Sequence, residues 1–162
     1  MAADRPVLIA GGGIGGLALA LALAQQGRSA LVLERREELA TEGAGIQLGP
    51  NGVRVLRQLG IADALRPHVG EPDSIQVHDG RSGRTLASLP LGDWLAARHG
   101  APYWVAHRGD LHAALLAAAG RDPRIAVRSG CEVTSAAQTG QRVQASCASG
   151  EAFAGDVLVG AD

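Results

Sequence analysis

The sequence predicts an α/β fold that begins with a parallel sheet and continues into a hairpin and a β-meander. The stretch VLIAGGGIGGLALALALAQQG passes from a short apolar strand through a glycine cluster into a long Ala/Leu helix, and SALVLERR supplies a second strand directly after it. Further short strands near the carboxyl end are separated by Gly130, Gly140 and Gly150. At 162 residues, 46% of them apolar, the chain is long enough for a sizeable core.

Composition and charge argue against several classes of partner. The formal net charge is −1, and the aromatic residues are two Trp, one Tyr and one Phe, so no basic field or base-stacking surface points to nucleic acid or an anionic membrane. All fifteen basic residues are Arg, which excludes Schiff-base chemistry on a lysine. Glycines from Gly11 to Gly16 break up the N-terminal apolar stretch. We therefore predict neither a signal peptide nor a membrane span.

The two cysteines, Cys131 and Cys147, are too few for a disulfide scaffold and lack the CxxC spacing of metal or redox sites. A turn at Thr139 and Gly140 could bring them across a hairpin from each other, but a shift of one residue in register would separate them. We expect reduced cysteines that pack as small apolar side chains, and from this state we expect a cytoplasmic protein.

The first glycine cluster matches GxGxxG at Gly11, Gly13 and Gly16. In a Rossmann-like βαβ start, the first glycine makes the tight turn, the second lets a pyrophosphate approach the backbone, and the third lets the helix pack closely on the strand. The unpaired N–H groups at the start of the helix would face the phosphates. The helix is predicted to end at Gln25 and Gln26, before Gly27. A purely structural glycine turn is the alternative.

Glu34 ends the second strand about twenty residues after the glycine turn, where a carboxylate can accept both hydroxyls of a ribose. Strand, glycine turn, helix and terminal acid together predict dinucleotide binding. The same carboxylate would repel a 2′-phosphate, although Arg35 and Arg36 keep an NADP-type ligand as an alternative. A solvated charge at the end of a strand is the simpler interpretation of Glu34 alone.

A second glycine-rich loop follows, with Gly43, Gly45, Gly49 and Gly52 ahead of a helix that ends at Gly60. So many glycines predict backbone lying close against a flat ligand, and Pro50 and Asn51 are suited to start the helix. An ordinary loop with turn residues is the alternative.

The middle of the chain predicts a hairpin over residues 73–91 that turns between Asp79 and Gly83. Asp93 is predicted to cap a short helix, DWLAARH, that Gly100 closes.

A strand, PYWVAH, then runs into a helix with Arg108 at the junction. A guanidinium there could bind phosphate, or form a salt bridge to Asp110 instead. His107 and His112 stand five residues apart, which does not suit a helical metal-ligand pair, so both are interpreted as structural and no metal site is predicted.

Taken together, GGGIGGLALALALAQQG, LER, GAGIQLGPNGVRVLRQLG, HRGDLHAALL and DVLVGAD resemble, in this order, single-component FAD-dependent aromatic hydroxylases, which are flavoprotein monooxygenases. The resemblance covers essentially the whole chain. It is strongest for the branch containing 3-hydroxybenzoate 6-hydroxylase, 6-hydroxynicotinate 3-monooxygenase and salicylate hydroxylase. It implies FAD as cofactor, NADH or NADPH as co-substrate, O2 and a small phenolic or N-heteroaromatic acid as substrates, and a homodimer as one expected assembly.

The resemblance also implies a set of cofactor-binding residues, while no catalytic base is assigned. In order along the chain they are Gly11, Gly13, Gly15 and Gly16 for the pyrophosphate, Glu34 and Arg35 for the adenosine ribose, Ala44 and Gln47 near the flavin, Arg108 near the pyrophosphate and ribitol, Val133 beside the adenine through its backbone, and Asp162 for flavin and nicotinamide donor together. Gln47 stands where the hydroxynicotinate enzymes carry a histidine thought to act as base. Glutamine cannot take a proton at neutral pH, which favours the hydroxybenzoate branch.

Asp162 matches the aspartate of a GADG motif after the last parallel strand in this family, and it is the last residue. Residues 1–162 are therefore expected to be the N-terminal part of an FAD-binding domain, with the 73–91 hairpin belonging to the substrate-side sheet and the fragment inactive by itself. Three alternatives stay open: a complete small nucleotide-binding protein, an FAD oxidoreductase that does not hydroxylate, and a binding module without turnover.

Overall fold

The computed structural model describes residues 5–37 and 44–161. The chain divides into two compact units: the first comprises Met1–Thr41 and His112–Asp162, the second Glu42–Leu111.

Helices and strands alternate along much of the chain, and strands alone follow one another towards its carboxyl end. The helices are α1 (Ile14–Gln25), α2 (Pro50–Gln58), α3 (Ala62–Leu65), α4 (Gly92–His99) and α5 (Arg108–Ala119), with a 3₁₀ turn at Arg66–His68. The strands are β1 (Val7–Ala10), β2 (Ala30–Leu33), β3 (Gly45–Leu48), β4 (Val69–Gly70), β5 (Ser74–His78), β6 (Thr85–Pro90), β7 (Trp104–His107), β8 (Ile125–Arg128), β9 (Val133–Thr139), β10 (Arg142–Cys147), β11 (Ala152–Gly155) and β12 (Leu158–Gly160).

A parallel sheet with strand order β12-β1-β2-β8 forms the first unit's framework, as the sequence predicts for an α/β fold. Strands β1 and β2 are almost wholly apolar and buried, which is typical of parallel strands. Helix α1 buries a stripe of small and branched residues with helical spacing, namely Gly16, Leu17, Ala20, Leu21 and Ala24. The final strand of this sheet begins at Leu158, and Val157, the residue before it, is 50% exposed.

The predicted meander is present as a three-stranded antiparallel sheet, β11-β10-β9. Residues of this sheet pack on β1 and β2 to form one apolar core of the first unit. Its buried members are Leu8, Leu33, Cys131, Ala145 and Cys147, and its half-buried members are Leu31, Val133, Val143, Phe153 and Leu158.

The expectation that the two cysteines are reduced is wrong for this structure. Cys131 and Cys147 form a disulfide, with their Cα atoms 5.5 Å apart. The register of β9 and β10 shifts between Ser146 and Cys147, and Cys147 lies opposite Val133, two residues after Cys131. The expected cytoplasmic location therefore loses the support that it drew from reduced thiols.

The second unit holds a three-stranded sheet, β3-β7-β4, with α2, α3 and α4. Part of the segment predicted as a glycine loop is in fact strand β3, which pairs antiparallel with β7 from Gly45 opposite His107 to Leu48 opposite Trp104. Gly43 lies outside the described residues. Helix α2 begins at Pro50, as predicted, and a left-handed Gly60 follows its end.

The predicted hairpin is formed by β5 and β6. In its turn the Asp79 carboxylate accepts N–H bonds from Arg81 and Ser82, both 2.8 Å long. The backbone bond from Ser82, followed by that from Arg81, holds the pKa of Asp79 below its usual value.

One capping prediction is wrong. Asp93 lies within the first turn of α4 and does not cap it, because the helix already begins at Gly92, whose φ of +43° suits glycine. Over the described ranges, no helix is long and apolar enough to cross a membrane.

Candidate functional site

The glycine-rich turn between β1 and α1 is shaped by two close backbone approaches. Gly11 has φ +117°, a conformation that side chains disfavour, and its N–H donates to the Leu33 carbonyl at 2.8 Å. A Cβ placed on Gly16 would overlap the Gly11 carbonyl oxygen and would press on the Ile9 side chain at 3.3 Å. Gly11 and Gly16 are therefore glycines for internal reasons: one makes the turn and the other lets the helix reach it.

Gly13 and Gly15 have no such internal reason. The nearest atom to a Cβ on Gly13 would be the Ala161 carbonyl oxygen at 4.0 Å, and a Cβ on Gly15 would meet nothing within 4 Å. Gly13 is also the N-cap residue of α1, and no side chain caps the helix. The turn thus presents bare backbone beside an uncapped helix N-terminus, the arrangement that binds phosphate groups in proteins.

Glu34 lies directly after β2, and its carboxylate faces the glycine turn. Oε2 accepts the Gly12 N–H at 2.7 Å, and Oε1 accepts the Arg36 N–H at 3.0 Å. Glu34 is half-buried, and a Cβ on Gly12 would lie only 3.0 Å from the Cβ of Glu34. The predicted ribose-binding acid is therefore held against the predicted phosphate-binding turn.

A second side chain contacts the same glycine. His112 of α5 places Nε2 2.7 Å from the Gly12 carbonyl oxygen. Because a carbonyl oxygen only accepts, Nε2 donates this hydrogen bond.

Backbone hydrogen bonds connect two further segments of the first unit to the ends of β1 and β2. Val133 begins β9, and the N–H of neighbouring Cys131 donates to the Glu34 carbonyl at 2.8 Å, so this strand starts beside the end of β2. Ala161 donates its N–H to the Ala10 carbonyl at 2.8 Å. Asp162 follows it and lies outside the described residues.

The remaining predicted residues include three in the second unit. The Arg108 N–H donates to the Ala44 carbonyl at 3.2 Å, which joins two segments that belong to separate sequence motifs. The Gln47 Oε1 accepts a hydrogen bond from the Tyr103 hydroxyl at 2.5 Å. Arg35, in the first unit, is exposed.

Arg108 is exposed at the start of α5. The alternative predicted for Arg108, a salt bridge to Asp110, does not occur among the ion pairs of the described residues. Within residues 5–37 and 44–161, no group of three His, Cys, Asp or Glu side chains could hold a metal ion.

Three residues of this arrangement carry no clear signal in the sequence. Gly12 occupies an unspecified position (x) of GxGxxG. The spacing between His107 and His112 bears on metal binding and not on a hydrogen bond to backbone. Tyr103 precedes its strand without any motif around it. For His112 the one available signal is its position in the helix that follows Arg108.

Comparisons with known proteins give matches over nearly the whole chain. The sequence profile of the FAD binding domain matches residues 4–162. The crystal structure of Klebsiella pneumoniae HpxO complexed with FAD and uric acid matches with a TM-score of 0.84 and 30% identity, over 98% of this chain and 39% of that chain.

Two curated relatives align with nearly every residue. The 3-hydroxybenzoate 6-hydroxylase of Polaromonas naphthalenivorans (strain CJ2) is 40% identical over 160 residues, 99% of this chain and 40% of that protein. The 6-hydroxynicotinate 3-monooxygenase of Pseudomonas fluorescens is 35% identical over 162 residues, 100% of this chain and 41% of that protein. The chain spans about two fifths of the length of these relatives.

Substitution by alanine should change the free energy of unfolding differently at the two kinds of glycine. Gly16→Ala should lower the free energy of unfolding by about 1–3 kcal/mol or more, because its Cβ overlaps the Gly11 carbonyl. Gly15→Ala should leave it unchanged or raise it by up to about 1 kcal/mol, since alanine favours the helix and meets no neighbour. Urea unfolding followed by circular dichroism measures both. Equal stability of the two variants would contradict the assigned packing.

Proposed function

Because the chain belongs to the FAD binding domain family, as its motifs predict, we propose that it supplies the FAD-binding part of a monooxygenase that hydroxylates a small aromatic acid with NADH or NADPH and O2. The observation that carries this proposal is the glycine turn, where Gly13 and Gly15 leave backbone open to a ligand next to a half-buried acid, Glu34. The curated relatives supply the reaction class by their names.

The turn fits a pyrophosphate. Gly13 and Gly15 present no Cβ, so phosphate oxygens can reach the main-chain N–H groups at the start of α1. Helix α1 has twelve residues, and the positive end of its dipole favours an anion at this position. The first turn of α1 carries no acidic residue that would oppose one.

Glu34 fits the adenosine ribose. Each of its carboxylate oxygens accepts one backbone N–H, from Gly12 and from Arg36, and each oxygen retains a further lone pair. The two oxygens can therefore accept the two ribose hydroxyls while they stay anchored to the backbone. Anchoring reduces the conformational entropy that binding would otherwise cost. Exposed Arg35 is the neighbour proposed to contact the same nucleoside.

Four further FAD contacts are proposed from the family resemblance. They are Ala44, Gln47, Arg108 and the backbone at Val133. The N–H bond from Arg108 to Ala44 supports the first and third, since it holds those two backbones together. Arg108 has no ion pair among the described residues, so its guanidinium is available for a bidentate bond to phosphate.

Gln47 is proposed as a hydrogen-bond donor near the flavin. Tyr103 donates to its carbonyl oxygen, which directs the amide N–H₂ group away from that bond. A side-chain amide cannot accept a proton at neutral pH, so Gln47 is not assigned as a base. This chemistry supports a hydroxybenzoate as substrate more than a hydroxynicotinate.

The hairpin of β5 and β6 is proposed to belong to a sheet on the substrate side. A two-stranded hairpin is marginally stable in water by itself, and this one exposes several large apolar side chains. They are Ile75, Val77, Leu86 and Leu89.

The chemistry divides between cofactor and protein. FAD supplies electron transfer from the nicotinamide donor and the activation of O2. The residues of the glycine turn and the end of β2 would bind and orient it: backbone N–H groups would hold its phosphates, and Glu34 would hold its sugar. No catalytic base is assigned among them.

The activity test uses the natural gene product loaded with FAD. With NADH or NADPH and O2, we expect oxidation of the nicotinamide to rise on addition of 3-hydroxybenzoate, with a hydroxylated product seen by mass spectrometry. Residues 1–162 alone should bind FAD without turnover. Flavin reduction with no product from any phenolic or N-heteroaromatic acid would favour a non-hydroxylating oxidoreductase, and FAD binding without reduction would favour a binding module.

The ribose assignment predicts a loss of affinity in Glu34→Gln. A glutamine offers one acceptor oxygen where the carboxylate offers two, so we expect FAD to bind about tenfold more weakly. Quenching of flavin fluorescence on titration measures the affinity. Glu37→Gln is the matched control, because it removes the same charge from an exposed residue three positions away. Wild-type affinity in Glu34→Gln would exclude Glu34 from the site.

A further inference from the structure

Gly12 is held by side chains on both of its polar groups. Glu34 accepts its N–H at 2.7 Å, and His112 donates to its carbonyl oxygen, also at 2.7 Å. Both bonds are partly buried, and both connect parts of the chain that are far apart in sequence. Gly12 itself is buried.

These two bonds act on two different peptide units. A peptide unit is planar and trans, so fixing its carbonyl also fixes the N–H at its other end, which points the opposite way. The Gly12 carbonyl and the Gly13 N–H are the two ends of one such unit. His112 therefore fixes the direction of the Gly13 N–H through the Gly12 oxygen.

The neighbouring groups show why this peptide matters. The Gly11 N–H donates to the Leu33 carbonyl, and the Gly12 N–H donates to the Glu34 carboxylate. The Gly13 carbonyl accepts the Leu17 N–H at 3.0 Å. The Gly13 N–H, by contrast, finds no acceptor among the residues that the structure describes. It is the first donor of the turn that is left for a ligand.

We infer that His112 is a positioning residue for FAD binding. It holds the Gly12–Gly13 peptide so that the Gly13 N–H is directed at the cofactor's pyrophosphate. The inference rests on the proposed function of the glycine turn. His112 touches no ligand in this scheme and acts only through the Gly12 oxygen. Its Nε2 must carry a hydrogen, since the carbonyl oxygen can only accept.

The positioning role of His112 requires a hydrogen-bond donor at the place of its Nε2 atom. A role in packing alone would require only a side chain of similar bulk. Glutamine can bring an N–H close to the position of the histidine Nε2, whereas leucine has similar bulk and no donor. His112→Gln should therefore rescue what His112→Leu loses. A residue that only fills space would show the reverse order.

The experiment measures FAD affinity and apoprotein melting temperature for wild type, His112→Leu and His112→Gln. We expect His112→Leu to bind FAD about tenfold more weakly and His112→Gln to stay within about threefold of wild type. His68→Leu and His68→Gln are matched controls at an exposed histidine and should bind as wild type does. Wild-type affinity in His112→Leu, or an equal loss in His112→Gln, overturns the inference.

A measurement on the unmutated protein tests the inference even if His112→Leu does not fold. Nitrogen-15 NMR of the histidine rings should show hydrogen on Nε2 of His112; a ring with hydrogen on Nδ1 alone overturns the inference. The FAD affinities also separate this inference from the proposed function. If wild type binds no FAD, both fail; if wild type binds FAD and His112→Leu binds equally well, only the role of His112 fails.

Discussion

The close approach of Gly16 to the carbonyl of Gly11 is the constraint on which the site depends. Any side chain at Gly16 would overlap that oxygen, so the helix reaches the turn only because Gly16 has none. The approach brings the uncapped start of α1 directly beside the end of β1. Neighbouring glycines thus have different surroundings: Gly16 packs against the protein interior, whereas a Cβ on Gly13 would meet only the Ala161 carbonyl oxygen at 4.0 Å and one on Gly15 would meet nothing within 4 Å.

Glu34 links the parallel sheet to that turn. It follows a buried strand, its backbone carbonyl accepts from Cys131 of the segment leading into the meander, and its side chain accepts from Gly12. An acid at this point is therefore positioned from three sides before any ligand arrives. Because it is only half-buried, the carboxylate stays open to solvent and to the hydroxyls of a sugar.

The parts of this fold that the sequence predicts are those fixed by short-range rules. Strand β1, helix α1 and strand β2 follow from apolar periodicity and glycine spacing within one stretch of chain. The parts that it does not predict depend on distant pairing: β3 is a strand because β7 lies beside it, and Cys131 meets Cys147 where β9 pairs with β10. The contact of His112 with Gly12 spans 100 residues and leaves no local pattern.

Site residues divide in the same way into predictable and unpredictable ones. Glycines and an acid at motif spacing can be proposed as a ligand site from the sequence, since the spacing between them has a physical cause. A residue that acts through another's backbone has no such signature, because many side chains can donate a hydrogen bond. Tyr103, which fixes the amide of Gln47, and His112, which fixes a peptide of the turn, both belong to this second kind. Structure is needed to find them because what identifies each is the atom that it holds.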